Sequence, residues 1–466
     1  MRGGCIAGGL VVLVLAGALA HRPRDEAFAQ TEKPNIVVII TDDQPLDSMR
    51  VMPKVRNKIG GHGVVFKNGF VSNPLCCPSR ATLLTGALSH TTGVYRNHGR
   101  WGGFKAFNDS STVATWLDDA GYDTALVGQY LEGYLKEQAS YRPPGWDRWA
   151  AYLPRGGKHI YYDFNMAVGG RLVDYPMAER FYVTRVLTDY ATSFIKNATD
   201  PFLMYYFPNA PHAPADPERK YRDELSRLRF DRGPAYNERN VSDKPAYIRA
   251  LPRMSRHYRR LTYRFRRDQL RTLFSVDDSV GKIVRTLRAE EKLHNTMIIY
   301  MSDNGYSYGE HRWRTKQVPY EESIRVPFYV RYDPLTDGDK DYHLVLNADI
   351  APTIADLADV PAAGAEGRSL VPLLENSEVE WRTDFLLEHL YDDKQKIPTY
   401  CGVRNKAYTY VKYKTDEEEL YDLVDDPHQL RNVAGDPDYL PVLTQMRARL
   451  VQLCVPPPPG YEPVAP

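Results

Sequence analysis

The feature that most constrains this chain is a set of short apolar runs, each ending in polar residues, with helical patterns between them. Asn35 to Ile40 leads into Thr41-Asp42-Asp43, and Thr124 to Val127 into Gly128-Gln129. Phe202 to Phe207 leads into Pro208-Asn209-Ala210-Pro211-His212, and Thr296 to Met301 into Ser302-Asp303-Asn304-Gly305. Such runs predict buried strands. Val113 to Ala120 and Leu270 to Leu287 read as helices, the first with Ser110 or Ser111 as its N-cap. Alternating strands and helices predict an α/β fold with a mainly parallel central sheet covered by helices on both faces. Ligands bind beyond the carboxyl ends of such strands. The four polar clusters, far apart in sequence, are therefore expected to meet at one sheet edge.

The pattern changes after about Leu374. Tyr400 to Lys414 alternates as antiparallel strands do, Glu417 to Leu423 follows, and Leu440 to Leu453 reads as a closing helix with Pro441 in its first turn. These predict a main domain over 30–374, a smaller C-terminal α+β subdomain over 375–455, and a Pro-rich tail, disordered or extended, over 456–466. At the other end, Arg2 precedes an apolar run from Cys5 to Ala20. Ala18-Leu19-Ala20 and Ala27-Phe28-Ala29 offer small-residue cleavage sites. This is a secretory signal pattern, so residues 1–29 are expected to be removed after 20 or 29. The alternative is an uncleaved anchor, for which the run is short and rich in Gly and Ala. The mature chain is then extracellular or periplasmic, or lysosomal in an animal host, with no stable membrane span.

Composition narrows the function classes. With 43% hydrophobic and 26% charged residues, the 466-residue chain has the make-up of a globular protein. A formal net charge of +1 gives no support for nucleic acid as a partner. Of the five cysteines, Cys5 leaves with the signal, and Cys401 and Cys454 could pair in an oxidising compartment. Cys76 and Cys77 are adjacent, and a disulfide between neighbours needs a strained ring, so another fate is expected for them.

Two clusters carry metal chemistry. Asp42-Asp43 and Asp303-Asn304 supply three carboxylates and an amide, hard oxygen ligands suited to Ca²⁺ or Mg²⁺. The bland reading of any single Asp after a strand is a turn residue or helix cap; two such clusters weaken it. Pro78 fits the first turn of a helix, which puts Cys76 at its N-terminus, where free N–H groups and the dipole favour an anion. Arg80 adds a fixed cation. From the residues alone, Cys76 is either a thiolate nucleophile or a buried structural cysteine.

The stretch Cys76-Cys77-Pro78-Ser79-Arg80, followed by Leu84-Thr85-Gly86, resembles the signature of the type I sulfatases. Their Cys is oxidised to formylglycine during export by a dedicated generating enzyme. Further landmarks agree: Pro34-Asn35-Ile36 through Asp42-Asp43, Ser302 through Gly305, Lys316 with Tyr320 to Pro327, Asp349 to Thr353, and Glu418 to Leu423. The resemblance spans roughly 33–453 and implies an alkaline-phosphatase-like fold. It also implies that Asp42, Asp43, Asp303 and Asn304, with formylglycine 76, hold one divalent cation, Ca²⁺ by preference and Mg²⁺ as the alternative. A hydrate hydroxyl of residue 76 would attack sulfur and form a covalent sulfate ester. Arg80 and Lys316 would neutralise charge, and His212 would protonate the leaving alcohol. His311 is divided between site wall and structural role.

One departure stands out. Where the family reads Gly-Lys-Trp-His-Leu-Gly or Gly-Lys-Tyr-Leu-Asn, this chain has Gly128-Gln129-Tyr130-Leu131-Glu132. Gln129 replaces the usual Lys and can still donate a hydrogen bond, but it brings no charge. Glu132 is a candidate substitute base for sulfate elimination.

The doubled Cys76-Cys77, Tyr130-Leu131 and Pro208 to His212 resemble the N-acetylglucosamine-6-sulfatase branch. The implied substrate is a 6-O-sulfated amino sugar of a glycosaminoglycan or related glycan. Rival readings are an arylsulfatase of broad specificity, a phosphonate or phosphodiester hydrolase of the same superfamily, and a non-catalytic glycan-binding homologue. Arg253 to Arg267, with seven arginines and no acid, either binds a sulfated polyanion or is a solvated helix face whose Arg stems pack on the body.

Overall fold

The strand Asn35–Thr41 (β1) exposes none of its residues. A strand buried on both sides needs strand neighbours for its backbone and apolar layers for both faces. The computed structural model describes residues 33–155 and 160–462, with residues 1, 3 and 4. The run from Cys5 to Ala20 and both cleavage sites lie outside the described residues.

In chain order, the following strands are β2 Val64–Phe70, β3 Asp123–Gly128, β4 Arg148–Pro154, β5 Phe164–Val168, β6 Arg171–Tyr175, β7 Phe202–Phe207 and β8 Thr296–Ser302. Then come β9 Ser307–Tyr308, β10 Arg314–Thr315, β11 Phe328–Arg331 and β12 Lys340–Leu346. A ten-stranded sheet has the order β12-β2-β11-β8-β1-β7-β3-β4-β5-β6. Its centre, β8-β1-β7-β3-β4, is parallel throughout, as expected. The edges depart from that: β11 runs antiparallel to β2 and β8, and β5 and β6 form an antiparallel hairpin on β4. Short connections such as Gly169-Gly170 cannot carry a parallel crossover.

Register explains why the polar clusters meet. Thr41 pairs with Ser302, and Gly128 with Phe207. The carboxyl ends of β1, β8, β3 and β7 are therefore level. Gly128 is required there: its φ is +120°, and a Cβ would lie 2.0 Å from the Phe207 carbonyl oxygen.

One apolar layer, including Leu83, Val113, Leu117 and Ile354, covers one face. The other holds Leu187, Ile195, Leu273, Val276 and Ile283. The helix Val113–Asp119 begins from Thr112, not Ser110 or Ser111; Thr115 Oγ1 accepts the Thr112 N–H at 3.0 Å. The long helix runs Arg256–Ala289, starting well before the expected Leu270. Its Arg-rich first turns lack the apolar period that marks a helix in sequence, and Ser255 Oγ caps them by accepting from Tyr258 N–H at 3.3 Å.

Past the expected change of pattern lies a four-stranded antiparallel sheet: β13 Asp384–His389, β14 Tyr400–Asn405, β15 Tyr408–Tyr413 and β16 Glu418–Asp422. The helix Leu440–Leu453 closes it, and Cys401 and Cys454 form a disulfide between the sheet and the helix end. Over its described part, the Pro-rich segment is not a free tail. Tyr461 is buried, and its hydroxyl donates to the Lys412 carbonyl at 3.1 Å. Lys33–Pro466 form one compact unit.

A buried histidine joins the two sheets' surroundings. His90 Nε2 lies 2.8 Å from Glu366 Oε1 and Nδ1 3.2 Å from Glu388 Oε2 on β13. Burial lowers the ring's pKa, but the two carboxylates outweigh it and lift it to about 10. The folded value exceeds the unfolded one, about 6.5. The clamp's stabilisation is thus fully present below about pH 6.5 and is lost as pH rises through about 10. Linkage over that window sets a ceiling of about 5 kcal/mol, and solvent screening at the partly exposed Glu366 lowers it, so unfolding free energy from urea titrations should fall by about 3 kcal/mol more in the wild type than in H90Q. Parallel curves for the two proteins would remove the clamp from the stability of the fold.

Candidate functional site

Three backbone segments converge where the parallel strands end. The Asp42 N–H donates to the Ala210 carbonyl at 3.3 Å, joining the ends of β1 and β7. The Asp43 N–H donates to Asp303 Oδ1 at 3.2 Å, joining β1 to β8. Asp43 sits at φ 66°, a left-handed conformation that Asp tolerates better than most residues. Against this edge stands the helix Cys76–Thr85, with all ten residues buried and Cys76 as its first.

Arg80 ties the helix to the strands. Its guanidinium is 2% exposed. Nη2 lies 2.9 Å from Asp42 Oδ2 and 3.0 Å from Asp303 Oδ2, Nε donates to Asp303 Oδ2 at 3.0 Å, and Nη1 donates to the Tyr130 carbonyl at 2.8 Å. Lys316 Nζ also reaches the cluster. It pairs with Asp43 Oδ1 and lies 2.7 Å from Cys76 Sγ. Cys76 Sγ is 3.4 Å from Asp42 Oδ1. Gln129 Nε2 donates to Asp42 Oδ2 at 2.9 Å.

Electrostatics follow from crowding. Burial and the Asp42 charge push the Cys76 thiol well above its ordinary range, against the pull of Lys316 and Arg80. A resting thiolate is thus disfavoured. Burial raises Asp42, but His212, Arg80 and Lys316 together hold it below the usual carboxylate range. Asp303 goes the other way, to about 7, because burial and the Asp42 charge outweigh Arg80 and Lys316. Burial lowers His212, and Asp42 and Asp43 more than compensate, so it rises above its ordinary value.

His212 is one-third exposed, with Nε2 3.7 Å from Asp43 Oδ2. Nδ1 lies 2.6 Å from the Ala213 carbonyl, an acceptor that fixes the Nδ1–H tautomer in the neutral ring. The loop is held by Tyr161 Oη donating to the His212 carbonyl at 2.7 Å and Gln269 Nε2 donating to that of Pro211 at 2.9 Å.

Asp42, Asp43, Cys76, Arg80, Gln129, His212, Asp303, Asn304 and Lys316 thus lie together. Glu132 lines an adjacent cavity with Gln129, Arg80 and Tyr152. Its carboxylate forms no hydrogen bond or ion pair among the described residues. Its N–H donates to Cys77 Sγ at 3.1 Å. His311 lies outside the cluster. It is fully buried, with Nδ1 2.8 Å from Glu238 Oε2, its ring 4.2 Å from that of Tyr320, and Nε2 without a hydrogen-bond partner among the described residues. Asn209 was not singled out by sequence reasoning. It is buried with both amide atoms unpartnered, and its signal was the same as the others': a polar residue just past a buried strand.

The donor set fits a hard divalent cation. One oxygen from each of Asp42, Asp43 and Asp303 lies within 4.8 Å of the others, and buried Asn304 Oδ1 has no partner. Three carboxylates face two fixed cations, and burial with the Asp42 charge raises Asp303 despite them. Ca²⁺ or Mg²⁺ at about a hundred times its Kd should stabilise the fold by about 2.7 kcal/mol. Thermal unfolding with and without chelator measures this, and D303N should lose most of the shift. An undiminished shift in D303N would place the cation elsewhere.

Comparison with known proteins places this chain in a family. The family described as Sulfatase matches residues 34–360, and the C-terminal family of N-sulphoglucosamine sulphohydrolase matches 309–455. The chain is 30% identical to human N-acetylglucosamine-6-sulfatase, covering 95% of this chain and 88% of that one. It is 30% identical to the extracellular sulfatase SULF-1 homolog of Drosophila melanogaster over 82% of this chain, and spans 37% of that protein's length. It spans 55% of a Caenorhabditis elegans counterpart. A protein solved in complex with its substrate, D-glucosamine-2-N,6-O-disulfate, superposes with a TM-score of 0.79 at 25% identity, covering 91% of this chain and 98% of that one. The architecture is alkaline-phosphatase-like, and the chain belongs to the sulfatase family.

Proposed function

We propose that this chain hydrolyses sulfate esters, with the 6-O-sulfate of an N-acetylglucosamine-type residue in a glycosaminoglycan or related glycan as its substrate. The observation that carries the reading is the position of Cys76. It opens a buried helix, 2.7 Å from Lys316 Nζ and 3.4 Å from Asp42 Oδ1. The amino-sugar preference is supported by the N-acetylglucosamine-6-sulfatase relative and by the disulfated glucosamine bound to the solved neighbour. Export is supported by the N-terminal signal pattern and the extracellular relatives. The formylglycine-generating enzyme is then the maturation partner.

Oxidised to formylglycine, residue 76 supplies an aldehyde hydrate as nucleophile, and a cation held by Asp42, Asp43, Asp303 and Asn304 supplies Lewis-acid polarisation of a sulfate oxygen. Lys316 Nζ, already against the side chain of residue 76, neutralises charge on the attacking oxygen. Arg80 fixes the two carboxylates that face it. His212 keeps Nε2 toward the site and, protonated, donates to the oxygen of the leaving alcohol. Gln129 orients Asp42 without adding charge. Glu132, without a side-chain partner among the described residues and close enough for its charge to bear on His212, is the substitute for the missing Lys in returning residue 76 to its aldehyde.

Protein from a host with the generating enzyme should carry formylglycine in the tryptic peptide containing residue 76, read by intact mass. C76A should lower kcat on N-acetylglucosamine-6-sulfate by at least about 10⁴-fold, since no nucleophile remains. H212A should lower it by about 10²–10⁴-fold. Unmodified cysteine in active protein would overturn the chemistry, and a clear preference for a phosphodiester would overturn the substrate class.

A further inference from the structure

The Arg-rich start of the long helix is not used by the site. Of the seven arginines from Arg253 to Arg267, Arg266 is accounted for: it pairs with Asp47 and packs 4.6 Å from the Phe230 ring centroid and 4.7 Å from that of Tyr308. None of the other six forms an ion pair with an acid among the described residues. Arg256, Arg260 and Arg264 are exposed and Arg267 is half-buried. At spacings of four, four and three, they form one stripe along the helix, about 16 Å long at 1.5 Å per residue.

As a merely solvated face, this stripe is poorly built. Like charges at i,i+4 repel, and cations at a helix N-terminus oppose the dipole. The first turn holds no acid to offset either effect. Nor does the stripe follow from a basic protein, because the net charge of the chain is +1. Positive charge has been segregated here.

Its position is equally specific. The Phe265 ring lies 5.7 Å from that of Tyr306, two residues beyond Asn304. The Arg314 guanidinium, two residues before Lys316, lies 5.0 Å from the Tyr258 ring centroid. Gln269, on the same helix, holds the loop that carries His212. The stripe therefore leads away from the rim of the anion site. Tyr258 and Leu261 beside it are 50% and 48% exposed, which offers apolar surface for sugar rings.

We propose that the stripe Arg256-Arg260-Arg264-Arg267 is a docking surface for a sulfated polysaccharide, gripping sulfate groups on sugars beyond the one whose ester enters the site. This rests on the reading of the site as one for glycan sulfate esters. A linear polyanion relieves both the i,i+4 repulsion and the dipole opposition. It also gives a polymer an affinity that a monosaccharide sulfate lacks.

The test is the triple variant R256Q/R260Q/R264Q, which keeps long side chains on the helix and removes charge. It is compared with wild type for retention on immobilised heparin and for kinetics on polymeric heparin and on a monosaccharide 6-sulfate. The variant should elute at lower salt. Its KM for the polymer should rise on the order of ten-fold at low ionic strength, a gap that closes as salt screens the contact. kcat and turnover of the monosaccharide should not change. Unchanged retention, or equal losses on polymer and monosaccharide, would overturn the surface. If wild type cleaves no sulfate ester yet the retention shift is seen, the surface stands and the reading of the site falls.

Discussion

A guanidinium sealed from water between two carboxylates is the contact on which the site depends. Arg80 meets Asp42 from the end of β1 and Asp303 from the end of β8, and also the Tyr130 carbonyl beyond β3. Burying these charges is costly, so the arrangement is stable only while all partners are present. Losing one partner of such a pair costs about 3–5 kcal/mol, mostly from the charge left behind. The constraint is geometric as much as energetic. A planar fork satisfied on several sides fixes the helix that carries it, and Cys76 lies four residues away at that helix's N-terminus. The position of Cys76 therefore follows from an ion pair in which it takes no part.

Lys316 is set differently, by the C-terminal sheet. Its carbonyl accepts from Trp313 Nε1 at 3.0 Å, and that of Gln317 from Tyr400 Oη on β14 at 3.0 Å. The Gln317 N–H donates to the Pro74 carbonyl at 3.1 Å, close to the Cys76 helix. Thr315 and Gln317 take φ values of 118° and 78°, conformations that cost about 1–3 kcal/mol each. Short β-strands and a tyrosine hydroxyl hold that strain in place. The small sheet is thus part of the active edge, since it aims one of the two fixed cations at residue 76.

What sequence reasoning could read was whatever repeats a local rule. Buried strands announced themselves by apolar runs, and their carboxyl ends by Asp42, Asp303 and His212. The helix Leu440–Leu453 was legible to the residue because its apolar period and Pro441 agree. What it missed depends on distant partners. Thr112 displaced Ser110 and Ser111 as N-cap by a hydrogen bond geometry that composition does not encode. The long helix's first turns entered only as one of two readings of Arg253 to Arg267, because arginines carry no apolar period, and Tyr461 was lost in a Pro-rich end because its partners lie elsewhere in the subdomain. His311, undecided in sequence, proved to be a partner of Glu238. The Cys401–Cys454 bridge needed the sheet and the helix end to meet.

Gln129 is the point at which local and global readings join. Its amide satisfies Asp42 as a lysine ammonium would, so the hydrogen bond survives the exchange. The charge does not. Three carboxylates are left with Arg80 and Lys316, a balance that holds a divalent cation more firmly but draws the singly charged sulfate of an ester less strongly. Positive charge for capturing an anion must then come from farther out. One such reserve, left without acid partners among the described residues, is the arginine stripe, joined to the site through Tyr306 and Gln269. On the proposed reading, Gln129 at the centre and the arginine stripe at the rim would spread attraction along a chain of sulfates instead of concentrating it on one.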